Sequence, residues 1–310
     1  MAKEKKYLYG PVPSRRLGLS LGVDIVPFKV CTLDCIYCQL GKTLQKTVER
    51  RDYLPIELAL TELKDRLAGG LDADFITISG SGEPTLHSRL GELINNIKQI
   101  TRIPVAILTN GTLLHRPDVR SDCAHADVVL PSLDAGDDDT FQRINRPHSE
   151  ITLANVIAGL SLFRDEFAGQ IWLEVFLAEG INTEPPQIDR IRDAIGRIRP
   201  DKVQLNTAVR PTAEAGLNRL NLQRLQAIAA QLGPKAEVVA DFSPGRKGKH
   251  IESKAESLLS MLKRRPCSLT DICSGLGMPQ EDVLRCLVDF QQEGLVDSSR
   301  KDGTTFFRAI

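Results

Sequence analysis

The sequence predicts an α/β fold on a mostly parallel sheet, followed by a small C-terminal unit of a different kind. Two observations carry this. Strand-like apolar runs alternate with amphipathic helical segments through the first three-quarters of the chain. Composition then breaks at Ser243-Pro244-Gly245-Arg246-Lys247-Gly248-Lys249-His250, a polar, basic stretch rich in breakers that reads as a linker.

The runs come in order. LGVDIVPF (21–28) is the first strand candidate, leading to a cysteine-rich loop and a helix over 55–68. FITIS (75–79) precedes GSGEPTL and a helix over 88–99, and VAILT (105–109) leads into NGTLL. DVVLPSL (127–133) is followed by Asp137-Asp138-Asp139, whose carboxylates suit a helix N-terminus at Thr140. A helix over 153–163 follows. IWLEVFL (171–177) and KVQLN (202–206) are each followed by a helical segment, and AEVVA (236–240) reads as a short extra strand. Six strand–helix units fit an incomplete barrel or a doubly wound sheet, and periodicity alone does not separate them. In either, ligands belong at the C-terminal strand ends.

After the linker, a helix over 256–263 precedes SLTDICSGLG, where Ser268 can cap a second helix and Gly275 or Gly277 can end it. A third helix spans 280–293 behind Pro279, and LVDSSRKDGTTFFRA reads as two strands turning at Asp302-Gly303. Three helices and a two-stranded wing suggest a winged-helix unit. The expected domains are 1–242, a linker 243–254, and 255–310.

Lys+Arg and Asp+Glu are both 40, so net charge favours neither a nucleic-acid nor an acidic partner. With 42% hydrophobic residues, the chain reads as folded rather than disordered. The basic N-terminus lacks a signal peptide's apolar stretch, and no window approaches the roughly 18 apolar residues of a membrane helix. A soluble cytoplasmic protein is expected. In that reducing setting clustered cysteines read as metal ligands or redox groups.

Three of the seven cysteines fall in CTLDCIYC: Cys31, Cys35 and Cys38. Soft thiolates select zinc, copper(I) or iron–sulfur clusters. Structural zinc wants four closed ligands, whereas this triplet has no cysteine or histidine nearby in sequence. Three thiolates on one 4Fe–4S cluster leave one iron open for a small ligand. Cys123 reads as a buried small hydrophobe, and Cys267, Cys273 and Cys286 as packing groups of the C-terminal helices.

This Cys-x3-Cys-x2-Cys triplet, with Tyr37 before the third cysteine, resembles the radical S-adenosylmethionine (SAM) superfamily. Gly80-Ser81-Gly82-Glu83-Pro84, Thr109-Asn110-Gly111, Ser132-Leu133-Asp134 and Gln204-Leu205-Asn206 follow at the expected strand ends. The resemblance covers roughly residues 10–240 and implies a partial (βα)6 TIM-like barrel. It implies a 4Fe–4S cluster on Cys31, Cys35 and Cys38, with SAM on the open iron. Tyr37, Gly80, Gly82, Glu83, Asn110, Ser132, Asp134 and Asn206 would contact SAM, Glu83 taking its ammonium. The activity implied is reductive SAM cleavage and hydrogen-atom abstraction, an oxidoreductase chemistry fed by a reduced flavodoxin- or ferredoxin-type donor.

GPVPSRRLG, CIYCQLGKT, SGSGEPTL, LTNGTLL and VQLNTAVRP look like a branch related to wyosine synthases, which modify tRNA. Those enzymes carry extra upstream cysteines, and this chain has none before Cys31. The substrate is therefore unassigned, with RNA or a peptide reached through the winged helix as candidate partners. The third helix carries Glu281, Asp282, Asp289 and Glu293 against Arg285, which disfavours duplex reading by it. Basic groups lie in the linker and at Arg300 and Lys301 of the wing. The competing reading is an iron–sulfur redox-sensing regulator acting through that unit.

Overall fold

The computed structural model describes residues 7–239 and 254–310. Of the linker predicted at 243–254, residues 243–253 lie outside the described residues, and Lys254 already opens a helix. Strands β1 (Leu8–Ser14) and β2 (Gly18–Val23) form an antiparallel hairpin. Two-residue strands β3 (Val30–Cys31) and β4 (Gln45–Lys46) then pair across the cysteine loop. Helix α1 (Ile56–Ala68), β5 (Phe75–Ile78), α2 (Leu90–Ile100), β6 (Val105–Leu108), α3 (Pro117–Cys123) and β7 (Val128–Leu130) follow. Next come α4 (Asp138–Asn145), α5 (Leu153–Glu166), β8 (Gln170–Leu177), α6 (Pro185–Ile198), β9 (Lys202–Thr207), α7 (Leu222–Leu232) and β10 (Ala236–Val238). The sheet order is β1-β2-β5-β6-β7-β8-β9-β10, parallel from β2 onward. This is the α/β architecture with a mostly parallel sheet that the alternation predicts.

The helices cover one face of the sheet. Ile76, Ile78, Val105, Ile107, Leu173, Val175 and Leu205 are buried in a single core with them. Alternate strand residues point the other way, since side chains on a strand alternate faces. Phe75, Ala106, Leu108, Val128, Leu130 and Trp172 form a separate apolar cluster on that second face. Thr77, Glu174, Phe176 and Asn206, in the same alternation, line an interior cavity.

Two predictions are corrected. The first strand was placed at 21–28, but β2 ends at Val23 and the chain then turns toward Pro27, which has no N–H for a ladder. The Pro and Gly content of Tyr9–Arg16 reads as a non-repetitive segment, yet it holds most of strand β1, whose register breaks between Tyr9 and Val12. Local signals elsewhere hold: Asp137 caps α4 by accepting from Thr140 N.

The C-terminal residues form α8 (Lys254–Leu262), β11 (Cys267–Ser268), α9 (Leu269–Leu276), α10 (Gln280–Gln292), β12 (Val296–Lys301) and β13 (Thr304–Ala309). Ser268 and Asp271 make a reciprocal capping box on α9, which ends at left-handed Gly277. Asp302 and Gly303 both take positive φ in the β12–β13 turn. A strand not expected from sequence, β11, pairs with β13. These elements have their own apolar core, which includes Cys267 and is packed by Cys273 and Cys286. Val12 of β1 packs on that core, and α8 and α9 both lie against β1. No helix among the described residues is long and apolar enough to cross a membrane.

Candidate active site

The cysteine loop is held from several sides. Within it, Thr43 N donates to Asp34 Oδ1 (2.7 Å) and Thr43 Oγ1 to Leu33 O (2.7 Å). Asp34 N and Ile36 N donate to Asn145 O and Ile144 O at the end of α4, both at 3.0 Å. His148 N donates to Thr32 O, and Lys46 Nζ to Arg146 O and Pro147 O. The Arg143–His148 segment therefore clasps the loop, and Arg146 pairs with Glu214 at 2.7 Å.

Each thiol faces a nitrogen donor from a different element. Lys29 Nζ lies 3.0 Å from Cys38 Sγ, Asn110 Nδ2 3.5 Å from Cys31 Sγ, and Asn145 Nδ2 3.5 Å from Cys35 Sγ. Burial, reinforced by Glu83, pushes the Cys31 thiol up to about 12. Burial and then Asp134 raise Cys35 well above the ordinary thiol range, with Cys31 and Cys38 adding to the effect. Among the described residues, no three His, Cys, Asp or Glu side chains converge as ligands of one metal ion.

Two carboxylates flank the loop. Glu83 is 3% exposed. Its Oε1 accepts from Thr85 N, Thr85 Oγ1 and Thr109 Oγ1, and its Oε2 from Asn110 N. Asp134 is 2% exposed and accepts from Tyr37 Oη, Asn145 Nδ2 and Phe176 N. Burial raises the pKa of both, Asp134 to about 6, because these neutral donors only partly offset the lost hydration. Among the described residues neither has a Lys or Arg partner. The Oδ1 of Asn145 is buried without a hydrogen-bond partner among the described residues.

The predicted contact residues thus divide into groups. Gly82, Glu83 and Asn110 gather on the Cys31 side, and Tyr37 and Asp134 on the Cys35 side. Tyr37 stacks on Phe176 with ring centroids 4.0 Å apart. Ser132 is half-buried and bridges to Glu174 through the backbone. Asn206 lies apart, donating to Glu174 Oε1 (2.9 Å) and accepting from Arg15 (3.2 Å). The glycines meet protein rather than open space. A Cβ on Gly82 would stand 2.3 Å from Val30 O, and one on Gly80, at φ +146°, 2.4 Å from the Asp24 carboxyl carbon. Their first role is to let the GSGEP backbone lie against the base of the cysteine loop.

Tyr37, Cys38, Gly80 and Asn206 line a cavity of about 370 Å³ between the sheet's inner face and α8. Away from the cysteines its lining includes Arg15, Arg16, Glu174 and Arg264. The sequence reading gave Lys29, Asn145, Glu174 and Arg264 no role.

A sequence model of the Radical SAM superfamily matches residues 25–189, which contain the loop and both carboxylates. The chain belongs to the radical SAM superfamily. This family uses a 4Fe–4S cluster and SAM. The chain is 39% identical over 294 residues to a Brachyspira hyodysenteriae protein named GTPase Obg, covering 94% of this chain and 43% of that protein. It is 37% identical over 209 residues to a UPF0026 protein of Methanocaldococcus jannaschii, covering 66% of this chain and 64% of the relative. The chain thus spans less than two-thirds of either relative. Among solved structures, TYW1 with a lysine–pyruvate adduct matches with TM-score 0.54 at 20% identity, over 72% of this chain and 75% of that one. At that identity the likeness is one of fold.

The donor set fits the family's cofactors. Three thiols on one clasped loop suit an iron–sulfur cluster. Buried carboxylates without cationic partners, and the orphaned Asn145 Oδ1, suit a ligand bearing positive charge and N–H donors.

Proposed function

We propose that the chain is a radical SAM oxidoreductase, with the cluster on Cys31, Cys35 and Cys38 and the substrate in the interior cavity. The observation that carries this is the loop itself, three thiols each facing a nitrogen donor and bracketed by Glu83 and Asp134. When bound, cluster and cofactor supply one-electron reductive cleavage of SAM, which starts hydrogen-atom abstraction from a substrate. The protein's contribution is local. Lys29, Asn110 and Asn145 each place an N–H donor beside one of the three sulfurs, holding the loop's thiols in position. Glu83 and Asp134 would offer buried carboxylates to a positively charged cofactor, Glu83 to its ammonium group. Tyr37, fixed by Phe176 and Asp134, presents an aromatic face beside Cys38.

The C-terminal elements read as a winged helix, with α10 as third helix and β12–β13 as wing. Its packing on β1 and its share of the cavity wall favour substrate enclosure over duplex reading. The test is anaerobic reconstitution with iron and sulfide, followed by SAM and a strong reductant. The expected product is 5′-deoxyadenosine, released by the native chain and not by a C31A/C35A/C38A variant. Protein that holds only zinc, or a variant that keeps its iron, would overturn the proposal.

A further inference from the structure

Lys29 sits where a lysine is expensive. It is 3% exposed, and among the described residues no Asp or Glu pairs with it. Burying an ammonium costs solvation unless negative charge joins it. Its backbone lies in the left-handed region, at φ +59°, a conformation that glycine adopts without strain and a lysine does not. Three hydrogen bonds fix it there: Lys29 N donates to Ser81 O (2.7 Å), and Lys29 O accepts from Leu44 N (3.0 Å) and Gln45 N (3.1 Å). The side chain ends on sulfur, with Nζ 3.0 Å from Cys38 Sγ.

The three thiols are therefore not equivalent. Cys31 and Cys35 face neutral side-chain amides at 3.5 Å, whereas Cys38 faces a cation at closer range. Of the three, Cys38 lines the interior cavity. The lysine's charge is also felt at Cys31, where burial and then Glu83 raise the thiol and Lys29 opposes them.

Reducing an iron–sulfur cluster takes one electron from a low-potential carrier and no proton, so the cluster becomes more negative by one charge. A fixed cation beside a ligand sulfur stabilises that reduced state more than the oxidised one, and net charge and hydrogen bonds at sulfur set such potentials. Burial strengthens the effect, because little water lies between the charges to screen them.

We infer that Lys29 is a positioning residue that acts through Cys38: its ammonium raises the reduction potential of the cluster and so eases entry of the first electron. The inference rests on the cluster placement proposed above. Charge, and not the N–H donor alone, is the working part.

The test is an anaerobic redox titration of the full-length reconstituted protein with mediator dyes. The reduced cluster is read by electron paramagnetic resonance, with iron and sulfide measured on the same samples. K29M removes the charge, K29Q keeps an N–H donor without charge, and K29R keeps the charge; none is glycine, so each meets the same backbone demand. K29M and K29Q should each lower the midpoint by at least about 59 mV, a tenfold change in a one-electron equilibrium. K29R should stay within about threefold of the native equilibrium, as should K42M, which removes an exposed charge on the same loop. Iron-loaded K29M with the native potential overturns the inference. A K29Q protein that matches the native one while K29M falls also overturns it, since the donor and not the charge would then matter. Iron lost from K29M and K29Q but kept by K29R overturns it as well, by making Lys29 an assembly residue. Native protein that holds no iron removes the cluster proposal itself, an outcome distinct from all three.

Discussion

The two ends of the cavity are built on opposite electrostatic plans. At the cysteine end Lys29 stands beside Cys38, and two buried carboxylates, Glu83 and Asp134, are held by hydroxyls, amides and backbone N–H groups rather than by cations. At the far end guanidinium groups crowd together, and burial of Glu174, which alone would raise its pKa, is outweighed by Arg16, Asn206 and Arg15. Neither arrangement is the cheapest way to fold. Buried carboxylates without cations, and clustered arginines, each cost solvation that hydrophobic residues would not. The contrast is one of sign and pairing: carboxylates without Lys or Arg partners among the described residues at one end, guanidinium groups paired with Glu174, Asp271 and Asp24 at the other.

The sharpest break is at the thiols. Replacing any one of Cys31, Cys35 or Cys38 by alanine should lower SAM cleavage by at least about 1,000-fold, since the family's cofactor chemistry has no route through the protein alone. Iron content, read by colorimetry and visible absorbance, should fall with it.

Next in size is Asp271, which ties the C-terminal unit to the arginine end. It pairs with Arg210, and it also caps α9. D271A leaves a buried guanidinium and removes half of a capping box, so a loss of about 4 kcal/mol is expected. Chemical denaturation should show this, and D271N should recover part by retaining an acceptor.

At the cysteine end a smaller effect follows from Asp134. Its pKa rises from 3.8 to about 6 on folding, so the folded state holds the proton more tightly than the unfolded chain. Stability from this group is therefore present below about pH 4 and lost as pH rises to about 6. The loss is at most about 3 kcal/mol at 1.4 kcal/mol per unit. Unfolding of metal-free protein between pH 4 and 7 should show that slope, and D134N should flatten it. An unchanged slope in D134N would mean the carboxyl is not buried as described.

Much of this was legible in the sequence, and the reasons are local. The cysteine loop, the Asp137 and Ser268 caps and the Asp302-Gly303 turn each depend on chemistry within a few residues. The arginine end was not legible. Arg15 and Arg16 sit in a Pro- and Gly-rich stretch that reads as loop, and alternation along β8 cannot distinguish a charged interior face from a solvated one. Arg264 reaches the site only because α8 packs on β1, more than 240 positions away in the chain. Lys29 and Asn145 were missed because a lone Lys or Asn beside a loop normally reads as surface or turn chemistry. Their meaning comes from 3.0 and 3.5 Å contacts to sulfur.

The smallest effect tests whether the wing belongs to the arginine end or to an outside partner. Lys301 is one of the wing's basic groups in the sequence, but its Nζ donates to Arg210 O (3.2 Å) and Leu217 O (3.0 Å). Burial accordingly lowers its pKa. K301M should cost about 1 kcal/mol of stability through two lost hydrogen bonds. Arg300, on the exposed side of the wing, serves as the comparison: R300A should leave stability unchanged. If single-stranded RNA binding is instead found, and K301M reduces it more than R300A does, Lys301 points outward in solution. The hairpin would then be a partner surface rather than part of the cavity's frame.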